Sequence, residues 1–385
     1  MTRTPPSTGA PPGAGTPLAG YTVGVTAARR RDELAALLER RGARVVQGPA
    51  IRLVPLADDA RLHAATDACL RGPIDDVVVT TGIGFRAWIE TADGWGLGPR
   101  LLRRLATARI LARGPKARGA LRAAGLREAW SPDSEACAEL QEHLITGGVA
   151  GRRIAVQLHG EQHPELPAAL RAAGAEVIEV PVYRWAPPAD TGPLDRLIRR
   201  AVTGTLDSLV FTSAPAVEGT LRAAAAAGLR DRLLDTMRGD VVACCVGPVT
   251  AAPLLRHGIA PLQPERGRLG ALVRTLCAEL PPRRGRHLLV SGHTVELRGH
   301  AVLVDGLLRT PAPAPMTVLR ALARRPGHVV SRAALRDTLS ADADEHAVEM
   351  AVNRLRRALG APGLVRTVVK RGYRLACEPV REQAS

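Results

Sequence analysis

Aromatic side chains are scarce, at 2% of the 385 residues. Buried cores must therefore be packed by Leu, Val and Ala, and an apolar share of 46% is ample for that. Lysine is almost missing: Lys116 and Lys370 are the only two, and arginine carries the rest of a formal charge of +16. Arginine usage of this kind also follows from a GC-rich coding sequence, so net charge alone does not point to nucleic acid. No apolar run reaches about 18 residues, which excludes a membrane-spanning helix in this sequence. The six cysteines (69, 137, 244, 245, 277 and 377) form no CxxC and no paired spacing with His. That argues against a zinc module and fits a reduced, cytoplasmic protein. Residues 1–17 are rich in Pro, Gly, Thr and Ala without an apolar centre, so a disordered tail is expected there and not a signal peptide. The length suggests two or three domains.

What is present is unevenly placed. From Arg283 onward there are 18 basic and 9 acidic residues, a net +9 in about a quarter of the chain, the electrostatic footprint of a phosphate-binding module. Within it, Asp344 to Leu375 reads DEHAVEMAVNRLRRALGAPGLVRTVVKRGYRL. Val348, Val352, Leu355 and Leu359 recur at helical spacing and should pack inward on one face. His346, Met350, Asn353 and Arg357 then lie roughly opposite, with Arg354 beside them. Asn and Arg are the types that form bidentate hydrogen bonds with adenine and guanine edges in the major groove. Gly360 and Ala361-Pro362-Gly363 stop the helix. Val365–Val369 and Gly372–Leu375 flank a basic turn at Lys370-Arg371 and predict a hairpin, or wing. The plain alternative is an amphipathic surface helix beside an edge hairpin, its arginines merely solvated.

Together with the residues before it, this stretch resembles the winged helix-turn-helix effector domain of OmpR/PhoB-type response regulators. Short strands are expected at Thr294–Leu297 and Ala301–Val304, with a turn at Asp305-Gly306. Helices are expected at about Met316–Arg325 and Arg332–Leu339, separated by Pro326-Gly327-His328-Val329-Val330-Ser331, with Ser331 as a cap. The resemblance implies double-stranded DNA as a partner. Asn353 and Arg354 would read bases, joined on that face by His346, Met350 and Arg357, while Arg356, Lys370 and Arg371 would meet phosphates. One departure is visible: the wing position that usually carries Arg after Thr-Val is Val369, which leaves the minor-groove contact open.

Ahead of this module the pattern is strand, helix, glycine, strand. It occurs at Tyr21–Thr26, Arg31–Arg41, Gly42 and Ala43–Val46, and again at Arg153–Gln157, Glu165–Ala173, Gly174 and Ala175–Val180. Such βαβ units imply parallel sheets. A longer repeat pairs Asp76-Val-Val-Val-Thr-Thr-Gly with Asp207-Ser-Leu-Val-Phe-Thr-Ser, and the run to Gly114-Pro115 with the run to Gly247-Pro248. Two similar α/β lobes are therefore encoded, and ligands of such lobes bind near the carboxyl ends of strands.

Over residues 18–280 the sequence resembles uroporphyrinogen-III synthase. The carrying segments are Val25-Thr26, Val78–Phe85, Val180-Pro181-Val182-Tyr183, Val210–Ala214 and Val246–Ala251. The implied fold class is α/β: two flavodoxin-like parallel-sheet lobes plus a C-terminal winged helix-turn-helix domain. Lobe one would comprise 18–50 and 186–280 and lobe two 51–185, followed by a linker at 281–290, the winged helix at 291–378 and a tail at 379–385. That family closes hydroxymethylbilane, a linear tetrapyrrole polycarboxylate, into a macrocycle without a metal or organic cofactor, so no cofactor is expected. Candidate ligand residues are Thr80, Thr81 and Gly82 at one strand-to-helix junction, Thr212, Ser213 and Ala214 at its counterpart, and Gly247 and Thr250 at a third, since helix N-termini favour anions. Tyr183 matches the family tyrosine proposed to assist the reaction. Each hydroxyl has a plainer reading as an N-cap, and Tyr183 as a packing aromatic.

Departures weaken the catalytic case: Ala27 follows Thr26 where the family has Arg, Ala117 replaces a Thr, and His159-Gly160 replaces Arg-Gly. His159, Glu161 and His163 lack a third strong ligand, so no metal is expected. Asp75 and Asp76 precede their strand, so the acidic pocket of a phosphorylated receiver is missing. The expected protein is thus a cytoplasmic transcription regulator whose lobes sense a tetrapyrrole or other polycarboxylate, or dock another transcription regulator or RNA polymerase. Nitrogen (nitrite) or sulfur assimilation genes are the expected target, because uroporphyrinogen III leads to sirohaem, the prosthetic group of nitrite and sulfite reductases. The competing expectation is an active, or bifunctional, uroporphyrinogen-III synthase.

Overall fold

The computed structural model describes residues 16–55, 60–133, 137–158, 165–339, 344–361 and 363–377. The 379–385 tail, nearly all of the 1–17 tail, and His159, Glu161 and His163 lie outside the described residues. Contacts divide the chain into Arg52–Ala186 and a second unit made of Met1–Ile51 with Pro187–Ser385.

The Arg52–Ala186 unit holds a parallel sheet in the order Arg109–Ala112, Asp76–Val79, Arg153–Gln157, Glu176–Val180. Its DVVV strand is buried at every position, so both faces need cover. Val77 and Val79 face one core with Phe85, Trp88 and Leu101, while Val78 faces another with Leu140, Leu144 and Leu166, as the two-residue period of a strand requires. Asp76 is buried at the strand start between Arg109 Nε at 2.6 Å and Arg152 Nε at 2.7 Å. An antiparallel ribbon of Arg52–Pro55 with Tyr183–Ala186 completes the unit.

The other unit opens with an equivalent parallel sheet, Val242–Cys245, Ser208–Phe211, Thr22–Val25, Arg44–Gln47. It has the same spatial order with the chain order permuted. The repeat is present but shifted by one residue from the sequence alignment: Asp207 corresponds to Asp75, not Asp76. Both Asp75 and Asp207 accept the backbone N–H that opens the neighbouring strand, from Arg153 and Thr22 respectively, at 2.7 Å each.

The same unit ends in the winged helix-turn-helix. A four-stranded antiparallel meander, Arg286–Val290, His293–Leu297, Val302–Val304 and Leu307–Arg309, precedes helices Pro313–Arg324, Arg332–Leu339 and Glu345–Leu359. A hairpin of Val365–Val368 and Gly372–Leu375 follows, and Val330 bridges to Tyr373 as a short third strand. No linker occupies 281–290. The helix Leu269–Arg284 runs through Pro281 and Pro282, and the first meander strand begins two residues later. Leu276 and Leu280 are fully buried and hold that helix to its end. The core of the module joins Val348, Val352, Leu355 and Leu359 to Leu319, Leu322, Val365 and Leu375, so the predicted apolar seam is the buried face.

Candidate functional site

The Glu345–Leu359 helix starts where Asp344 Oδ1 accepts the Ala347 N–H at 2.7 Å and ends at Gly360, whose φ of 69° favours glycine. Between these caps the seam is buried, and His346, Asn353, Arg354 and Arg357 are at least partly exposed, as is Met350. Lys370 and Arg371 form the exposed wing turn beside Val369. Asn353, Arg354, Arg357, Lys370 and Arg371 make no ion pair or side-chain hydrogen bond with any described residue. Their donors are free for an outside acceptor.

Arg356 behaves differently. Its Nε donates to Val365 O at 3.0 Å and its Nη2 to Thr367 Oγ1 at 2.8 Å, and its guanidinium lies 5.9 Å from the Tyr373 ring centre. The phosphate contact expected of Arg356 thus competes with these bonds, which tie the helix to the wing. Arg332, from the preceding helix, lies 5.6 Å from the same ring and 3.6 Å from Glu349. One buried tyrosine therefore fixes both helices of the motif against the wing. The sequence signals neither role, because Tyr373 carries only a strand pattern there. Ser331 caps the Arg332–Leu339 helix as expected, through the Ala334 N–H at 3.1 Å.

The strand-end turns are built unlike one another. In the Arg52–Ala186 unit, Thr80 is buried and donates to Gln157 O at 2.7 Å, while the Gln157 Oε1 accepts the Thr81 N–H at 3.0 Å. Thr81 caps the Gly82–Gly94 helix by accepting the Gly84 N–H at 3.2 Å, and its hydroxyl lies 3.5 Å from the Tyr183 hydroxyl. Tyr183 is 4% exposed and packs edge-on against Trp185. A side chain at Gly82 would strike Lys116 O, so glycine is needed where the two helix N-termini meet. The structure thus brings Thr80 and Thr81 onto Gln157, with Tyr183 beside Thr81 and Gly82 next in the chain; Gln157 is a residue that sequence reasoning does not single out. A polar side chain closing the RIAVQ strand after its apolar Ile-Ala-Val run is the signal available.

In the other unit, Ser213 is the N-cap of the Ala214–Ala226 helix but its side chain makes no capping bond, and Thr212, Ser213 and Ala214 are all partly accessible. Gly247 caps the Pro248–Leu255 helix in extended conformation, Thr250 is buried in its first turn, and Val249 beside it is 64% exposed. The Thr212–Ala214 turn therefore offers an unspent hydroxyl and amides, whereas Thr80 and Thr81 are largely used in holding their own turn. No group of three or more His, Cys, Asp or Glu among the described residues is placed to hold a metal. No described helix is long and apolar enough to cross a membrane.

Known proteins share both halves of this architecture. The family profile described as Uroporphyrinogen-III synthase HemD matches residues 32–274, and that described as Transcriptional regulatory protein, C terminal, matches residues 310–375. A Bacillus subtilis protein, uncharacterized protein YjjA, is 30% identical over 262 residues, which cover 66% of this chain and 94% of that protein. A crystal structure of a mutant uroporphyrinogen III synthase from Thermus thermophilus is 29% identical, covers 67% of this chain and 100% of that one, and superposes with a TM-score of 0.56. The chain belongs to the uroporphyrinogen-III synthase family and carries a transcriptional-regulator winged helix-turn-helix domain at its carboxy end.

Proposed function

We propose that this chain is a DNA-binding transcription regulator whose synthase-like lobes sense a ligand. The observation that carries the reading is the solvent face of Glu345–Leu359. Asn353, Arg354 and Arg357 stand there without partners among the described residues, and Arg356 locks the helix to a wing that presents Lys370 and Arg371. Free bidentate donors on a rigid helix serve base edges, and the wing cations serve phosphates. The ligand class is a tetrapyrrole or another polycarboxylate, taken at turns such as Thr212–Ala214, and the target genes are those of nitrogen (nitrite) assimilation. Another transcription regulator or RNA polymerase is a further partner of the lobes. Footprinting of the purified protein on its own genome tests this: protected sites upstream of such genes support it, and protection without sequence preference overturns it.

A second reading is retained synthase activity. It is favoured by the Tyr183 hydroxyl lying beside Thr81 and the Gln157-braced turn. Incubation with hydroxymethylbilane separates the two. Conversion to the type III macrocycle makes the chain an enzyme as well, whereas the spontaneous type I product leaves it a sensor.

A further inference from the structure

The repeat supplies its own control. Asp75 and Asp207 occupy equivalent places and accept equivalent backbone bonds, yet Asp75 is exposed while Asp207 is 6% exposed. What covers Asp207 is the turn between two meander strands of the winged helix. Gly299 sits so close that a Cβ built on it would collide with the Asp207 carboxylate. The next residue, His300, donates its N–H to Gly20 O at 2.7 Å, and its Nδ1 is 3.2 Å from Thr22 Oγ1. Arg298 donates to Ala19 O at 2.9 Å, holds Glu296 at 2.7 Å and lies over the Tyr21 ring. Arg320, on the first helix of the winged domain, donates to Gly299 O. Burial raises the pKa of Asp207, with the Thr22 amide and then the guanidinium groups of Arg284 and Arg320 pulling it down.

We infer that the Arg298–Ala301 turn is a latch that seats the DNA reader on lobe one, with Asp207 as the floor of the seat. An exposed, solvated carboxylate in one lobe has become a docking surface in the other, and the partner it fits is the chain's own winged helix. The seat lies at the amino ends of Thr22–Val25 and Ser208–Phe211. The second of these is 4 residues long, on the order of 13 Å, and leads directly to Thr212-Ser213 at its other end. Occupation of that turn and seating of the latch thus act on the same short strand. This consequence for signalling rests on the regulator reading above; the latch itself does not.

Amide hydrogen exchange on the full chain tests it. In the unaltered protein the amides of Thr22 and His300 should exchange at least about tenfold more slowly than those of the exposed Val369 and Lys370 in the wing turn. Gly299→Val, which drives a side chain into the Asp207 carboxylate, should abolish that difference while Glu345–Leu359 keeps its protection. Arg320→Ala, at an accessible helix position that alanine suits, should accelerate His300 in the same direction and serves if the valine variant does not fold. Equal exchange at His300 and the wing turn in the unaltered chain overturns the latch, as does unchanged exchange in the folded variants. Duplex binding measured in parallel keeps the two ideas apart. Loss of binding with a protected His300 sinks the regulator reading alone, and binding with an unprotected His300 sinks the latch alone.

Discussion

Arg354 and Arg356 stand two positions apart on one helix and do different work. Arg354 is exposed and without a partner among the described residues, whereas Arg356 spends two donors on the wing. Arg354→Ala or Asn353→Ala should cost about 1–3 kcal/mol at a preferred site and little on scrambled duplex. Anisotropy titration of both duplexes checks this, and a mutant that keeps full sequence preference shows that the wrong face was assigned. Arg356→Ala should lower folding stability by about 1–2 kcal/mol, since it leaves a partly buried carbonyl without its donor. Its urea midpoint gives the answer, and no change there would deny the tie. His300 carries a pH signature. Burial first, then the cations Arg44 and Arg320, lower its pKa from 6.5 to about 4. Between those values the unfolded chain binds the proton and the folded chain does not. The stability contribution is therefore fully present above pH 6.5 and is lost as pH falls toward about 4. For a ring that is only partly buried the loss is on the order of 1–2 kcal/mol. Urea midpoints at about pH 7.5 and about pH 5 should converge in His300→Gln, and an equal pH dependence in both proteins would show that the ring is not shielded.

At the scale of elements, legibility follows periodicity. The seam Val348, Val352, Leu355 and Leu359 can be read because a helix buries one stripe, and all four are buried. Leu355→Ala should accordingly cost about 2–5 kcal/mol, read from thermal or urea unfolding. A cost under about 1 kcal/mol would mean that the seam is not the core. The Arg286–Val290 strand reads as linker in the sequence. Its RHLLV pattern is mostly exposed and does not alternate, and Pro281-Pro282 before it look like a break. The repeat misaligns by one residue because adjacent aspartates, Asp75 and Asp76, compete for one partner. Only the strand register, which pairs Asp76 with Arg109 and Ser208 with Val242, decides between them. The wing turn is simpler. Lys370→Ala or Arg371→Ala should weaken all sequences alike and reduce the salt slope by about one unit each.

At the scale of the whole molecule, the lobes and the DNA reader are legible because each is built from local patterns: βαβ units, a repeat, a capped helix and a wing. What joins the reader to lobe one is not. The contact of Gly299 and His300 with Asp207, Gly20 and Thr22 links segments far apart in the chain, and no local pattern encodes it. Gln157 escapes notice for the same reason, since its partners Thr80 and Thr81 lie on another strand end. On the proposed function, the carboxy-terminal module holds duplex DNA on the face carrying Asn353 and Arg354. Binding of the full chain to its footprinted site, measured against rising salt, is the deciding experiment. The expected result is retention at low ionic strength, a linear fall of log affinity with log salt, and a site preference that Arg354→Ala removes. Failure to retain any duplex at low salt would contradict it.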